Sequence, residues 1–208
     1  MYQYSTNDTT PPTLPSPPPQ LIAANMLEQR IVFLWGAVAD ENAQSITSLL
    51  MYLSHIQPLM PIHFYINSPG GMVTAGNAIL DTMQYISAPV YTYCIGNAAS
   101  MAAILLSAGC KGNRYVAPLA EVMIHQPSMG GFKARLWEIE VHARQIAKAK
   151  ETAASILAAN CGKSVEQIKE DFDKDYWMNA AEAVAYGIAD NIMTTNQAHI
   201  AKPVSGII

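Results

Sequence analysis

From residue 30 to residue 190 the chain alternates short runs of strand-forming residues with longer stretches whose apolar side chains recur at helical spacing. Such alternation restricts it to an α/β fold. Residues 30–35 (RIVFLW), 61–67 (PIHFYIN), 90–96 (VYTYCIG), 115–116 and 121–126 (EVMIHQ) read as strands. Ile46, Leu49, Leu50, Leu53 and Ile56 share one helix face, as do Ala75, Ile79, Met83 and Ile86. The small, apolar stretch 97–108, closed by Gly109, predicts a buried helix. A stripe of Ile139, His142, Ile146, Ala149, Ala153 and Ile156 predicts a long helix over 137–160. Ser164 to Gln167 and Asn179 to Glu182 carry the capping-box pattern, and Gly187 is a natural helix stop. No internal repeat is visible.

The 208 residues suit one domain with tails. Residues 1–20 are polar and proline-rich, a composition that cannot form a packed core and favours extended conformations. They read as a flexible tail in preference to a gating or docking segment. The single domain is expected over 21–195, with a C-terminal tail over 196–208.

Composition narrows the partners. Half of the residues are hydrophobic and only 13% are charged, well below the usual quarter. A surface so poor in charge points to coverage by copies of the same chain. The net charge is −4 and the basic residues are scattered, the first being Arg30. Neither nucleic acid nor an anionic membrane is therefore an expected partner. No basic, Arg-rich or long apolar leader opens the sequence, so the protein is expected to stay where it is made, in the cytoplasm or an organelle stroma. Residues 82–110 carry no charge, but Pro89, Gly96, Asn97 and Ser100 interrupt them. The unbroken apolar piece falls far short of the ~20 residues that a membrane helix needs. Cys94, Cys110 and Cys161 are odd in number and form no C-x-x-C or Cys/His cluster. They read as buried thiols of a reducing compartment, not as a disulfide framework or zinc site.

Ser100 falls where a buried strand gives way to a buried helix, among small neighbours (GNAASMA) that leave room for a substrate backbone. Free N–H groups at a helix start can stabilise an oxyanion, but a serine there is also an ordinary cap, and spacing alone favours the cap. The surrounding sequence is not the G-x-S-x-G elbow. Gly70 and Gly71 end one strand and open another helix. Such a pair can present backbone donors to a ligand or simply make a tight turn. His125 closes an apolar strand before Pro127 and is the best placed of five histidines as a base, by a small margin over His55, His63, His142 and His199. Asp171, Asp173 and Asp175 crowd together in DFDKDYW, where spacing does not select among them.

Four segments in order, between about residues 29 and 193, resemble the proteolytic subunit of the Clp ATP-dependent protease. They are INSPGGMVTAGNAILDTM, CIGNAASMAAILLSAGCKGNRY, EVMIHQPSMGG and KDYWMNAAEAVAYGIAD. The resemblance implies a superhelical α/β fold of β-β-α units shared with crotonases, with a long handle helix. It implies Ser100 as nucleophile, His125 as general base and acid, and Asp175 as the residue that orients His125. It assigns the oxyanion hole to the backbone N–H groups of Gly71 and Met101. It further implies stacked heptameric rings, homomeric or mixed with a paralogue, and an AAA+ Clp unfoldase that feeds them unfolded polypeptides. ATP would be used by the unfoldase, so no cofactor or metal is expected in this subunit. Three departures point to a diverged paralogue: the proline-rich start, Gly-Gly-Phe-Lys-Ala-Arg-Leu-Trp in place of the glycine-rich handle segment, and Tyr176 in place of the arginine that usually follows the acid. The alternatives are an inactive or regulatory Clp-type subunit of a mixed ring, a crotonase-like acyl-CoA enzyme and a binding domain with a proline-rich ligand tail.

Overall fold

Runs of branched and aromatic residues closed off by turn formers become strands, and the striped segments between them become the helices that cover those strands. A computed structural model describes residues 18–128 and 135–194. The strands are β1 (Ile31–Trp35), β2 (Ile62–Ser68), β3 (Val90–Ala99), β4 (Arg114–Val116), β5 (Glu121–Ile124), β6 (Tyr176–Met178) and β7 (Asn191–Ile192). The helices are α1 (Pro19–Glu28), α2 (Asp40–Ile56), α3 (Val73–Tyr85), α4 (Met101–Ser107), α5 (Leu136–Cys161), α6 (Val165–Asp171) and α7 (Ala180–Tyr186). The result is a mixed α/β domain. Strands β1-β2-β3-β4-β7 lie side by side in parallel, β5 runs parallel to the far half of β3, and β6 is antiparallel to β5.

The side-chain period of two divides the sheet into unlike faces. Val32, Leu34, Phe64, Ile66 and Cys94 point into the core formed with α2, α3 and α4. On the other face Phe33, Tyr65, Tyr93 and Tyr115 stand in lateral register across β1 to β4. Their ring centroids are 5.7, 4.5 and 5.0 Å apart, and the last two pairs are stacked. The core is therefore one-sided.

Several elements differ from the sequence reading. β3 does not stop at Gly96. Asn97, Ala98 and Ala99, read as the start of a helix, pair with Glu121, Val122 and Met123 of β5. Strand pairing overrides their helical composition, and α4 begins only at Met101. Gly96, at φ +78°, lies where β3 exchanges β4 for β5 as its neighbour. Helix α1 was not anticipated, and it begins at Pro19, inside the segment read as tail. The two-residue β7 and the three-residue β6 carried too little pattern to be seen.

Ile56 and the first part of the α5 stripe, Ile139 and His142, are exposed, not buried. Ser164 caps α6 through Gln167 N–H, but the Gln167 side chain turns to Asp171, so that capping box is half formed. The box at Asn179 and Glu182 is complete. Of the three cysteines Cys94 is buried, with its thiol pushed up to about 12 by burial, and Cys161 is half-buried. Cys110 is exposed, against expectation, because it sits in the turn that follows α4. Residues 1–17 and 195–208 of the expected tails, and residues 129–134 of the altered handle segment, lie outside the described residues. Among the described residues no helix is long and apolar enough to cross a membrane.

Candidate active site

The site is built where β3 turns into α4. Ser100 occupies that turn at φ 56°, ψ −123°, a region that residues with a Cβ rarely adopt. Its N–H donates to Met123 O at 2.8 Å, and its carbonyl accepts the first helical bonds of α4, from Ala103 and Ile104. Gly70 packs against it from the β2–α3 turn. A Cβ at Gly70 would lie 2.6 Å from Ser100 Cβ and 2.7 Å from Ala99 O. Gly70 also has φ +88°, so both space and conformation demand glycine there. The Ser100 hydroxyl does not cap α4; it lies 2.8 Å from His125 Nε2.

The imidazole and its acidic neighbour are placed by the β5–β6 ladder. Ile124 is opposite Tyr176 in this antiparallel pair, so His125 and Asp175 each hang one residue beyond its end, facing each other. His125 Nδ1 is 3.2 Å from Asp175 Oδ1. The Asp175 side chain is 61% exposed. The neighbouring aspartates are engaged elsewhere. Asp171 accepts from Tyr186 Oη at 2.7 Å and from Gln167 Nε2 at 2.8 Å, and burial followed by that carboxylate pushes the Tyr186 hydroxyl upward. Asp173 accepts from Gln126 Nε2. Of the other histidines, His63 shares a hydrogen bond with Tyr93 Oη at 2.8 Å. His55 ends α2, His142 is on the exposed part of α5, and His199 lies outside the described residues.

The two residues that the resemblance assigns to an oxyanion hole, Gly71 and Met101, flank this junction, Gly71 in the β2–α3 turn and Met101 directly after Ser100. Val38 N–H donates to Gly70 O and Met72 N–H donates to Val38 O, at 2.8 and 2.9 Å. That parallel bridge turns the peptide N–H of Gly71 itself away from Val38. Met101 N–H is the first amide of α4. Among the described residues neither N–H has an intramolecular acceptor.

A cleft of about 470 Å³ opens over these groups. Its walls come from α3 (Val73, Thr74, Asn77), α4 (Met101, Ile104) and the middle of α5 (Ile146, Ala149, Thr152, Ala153, Ile156), with Pro127 beside His125. Part of the stripe read along the long helix is thus the wall of a cleft. Thr74, Asn77 and Thr152 gave no sign of this in the sequence, since isolated polar residues on helices are ordinary. The walls are mostly apolar around a few convergent polar groups, the usual make-up of a ligand cleft. A hydroxyl, an imidazole and a carboxylate in hydrogen-bonded sequence are the arrangement that acyl transfer employs. The sequence model of one family, described as Clp protease, matches residues 19–196, from the first turn of α1 to just past β7.

Proposed function

Since the chain belongs to the Clp protease family, we propose that it is a serine endopeptidase subunit that cleaves unfolded polypeptides inside a self-compartmentalised assembly. The observation that carries this reading is the 2.8 Å contact between Ser100 Oγ and His125 Nε2, continued from Nδ1 to Asp175 at 3.2 Å. In this reading Asp175 accepts the Nδ1–H bond and so leaves Nε2 as the basic nitrogen. Nε2 takes the Ser100 proton as Oγ attacks the scissile carbonyl carbon. The N–H groups of Gly71 and Met101 hold the oxyanion. The imidazolium then gives its proton to the leaving amine, the C–N bond breaks and an acyl-serine remains. Water, deprotonated by His125, hydrolyses that ester and restores the hydroxyl.

Family membership also supports assembly into stacked heptameric rings, homomeric or mixed, and delivery of substrate by an AAA+ Clp unfoldase that consumes the ATP. The subunit itself then needs no cofactor. An active-site fluorophosphonate, mapped by mass spectrometry, tests the chemistry. It should label Ser100, and His125→Ala should abolish the label. Ser100→Ala should lower peptide turnover about a millionfold while assembly persists. Intact rings without label would identify an inactive subunit, and thioester turnover would identify a crotonase-like enzyme.

A further inference from the structure

The β5–β6 ladder ends at Ile124 and Tyr176, and the two groups that must meet, His125 and Asp175, lie just past its end. Something beyond the ladder has to fix their spacing. Asp175 is exposed, and among the described residues its carboxylate touches His125 alone. The fastening comes from Gln126. Its backbone N–H donates to Phe172 O at 2.9 Å. Its Nε2 donates to Asp173 O at 3.1 Å, with Asp173 Oδ1 at 3.4 Å. Its Oε1 accepts from Lys150 Nζ of α5 at 2.8 Å, and the same ammonium lies 5.9 Å over the Phe172 ring. One side chain therefore ties together the residue after the base, the loop before the acid and the helix that walls the cleft.

We propose that Gln126, anchored by Lys150, is a positioning residue that holds Asp175 in register with His125. The inference rests on the peptidase reading and extends it. Both amide groups of Gln126 are used: the oxygen faces a cation, and the nitrogen faces a carbonyl and a carboxylate. The orientation is thus fixed from both ends. Loss of either end leaves Phe172 buried and bonded to the Gln126 N–H but loosens residues 173–175 and lets the carboxylate drift from Nδ1. A misplacement near 1 Å at such a site costs on the order of 100-fold in rate.

The test compares the full chain with Gln126→Ala, Lys150→Met, Lys150→Arg, Asp175→Ala and the double variant Gln126→Ala/Asp175→Ala. Each is checked for assembly by native mass spectrometry, then assayed for cleavage of a short fluorogenic peptide and for the rate of fluorophosphonate labelling at Ser100. In Gln126→Ala, kcat should fall about 10- to 100-fold with KM unchanged. Lys150→Met should lose less, and Lys150→Arg, which still donates to Oε1, should restore the rate. In the Asp175→Ala background Gln126→Ala should cost nothing more, because its target is already gone. A Gln126→Ala chain that works near the wild-type rate, or that loses the same factor with and without Asp175, overturns the assignment alone. A wild-type chain that neither labels nor cleaves overturns this inference together with the peptidase reading.

Discussion

A serine held at positive φ costs on the order of 1–3 kcal/mol, and the molecule retains that conformation at Ser100. The geometry explains why. The left-handed turn lifts the hydroxyl off the α4 axis, where it would otherwise serve as a cap, and points it at His125. Asp175 is distinguished from Asp171 and Asp173 by contact and not by composition. Asp175→Ala should therefore lower kcat on the order of 10⁴-fold, whereas Asp171→Ala and Asp173→Ala should stay within a few-fold of the parent in the same peptide assay. Equal losses would show that no one of the three is the orienting acid. At this scale the sequence was informative in an uneven way. Ser100 and His125 were candidates by their places at the ends of elements, although spacing alone favoured a cap for Ser100 and preferred His125 only by a small margin. Asp175 did not stand out, because an acidic cluster looks alike whichever member turns inward, and only the resemblance singled it out. Gln126 and Lys150 gave no signal, since their importance lies in contacts 24 to 47 residues away.

Among the elements, the far ends of the site's helices are fixed by a buried ion pair. Arg114 on β4 donates to Asp190 at 2.6 Å, to Ser107 O at the end of α4 and to Asn160 O near the end of α5. Partial burial works to raise the Asp190 carboxyl, but Arg114's hydrogen bonds and charge, with the backbone N–H groups of Arg114 and Gly112, outweigh it and hold the carboxyl below the usual range. A carboxyl depressed in the folded state stabilises it above the unfolded value, and that contribution is lost as pH falls through the folded value. Asp190→Asn should cost about 3 kcal/mol at neutral pH, and the difference in melting temperature from the parent should shrink below about pH 4. Thermal unfolding followed by circular dichroism across that range gives the answer. A similar fixing occurs at α2, whose last carbonyls Leu53 O and Gln57 O, with Met60 O and Pro61 O beyond them, accept from the buried Arg30 guanidinium. Sequence patterns found α2 to α7, though not α1, because period and punctuation are local. They misplaced the α4 start because the pairing of residues 97–99 with β5 depends on a strand more than twenty residues away.

Across the whole molecule the described residues show many exposed apolar side chains. Trp35, Leu59, Tyr85, Leu119 and Trp137 are all more than half exposed, and along α5, about 39 Å long at 1.5 Å per residue, the first buried side chain described is Ala153. On the proposed reading, part of this surface is covered by other copies of the chain in the assembly. If the handle joins ring to ring, Ile139→Glu together with Val141→Glu should release single rings from double ones, as read by native mass spectrometry, with the fold intact by circular dichroism. Unaltered double rings would place that contact elsewhere. One further consequence follows from β3, which serves β4 with Thr92–Cys94 and β5 with Asn97–Ala99. The strand is a fork: the broad parallel part of the sheet is one prong, and β5 with β6, bearing imidazole and carboxylate, is the other. The second prong joins β3 through three residue pairs and the Ser100 N–H bond to Met123 O, and its Val122 and Ile124 are buried in the common core. Hydroxyl and imidazole are therefore carried on one packed unit, and a change in the core beneath β5 would be felt at both.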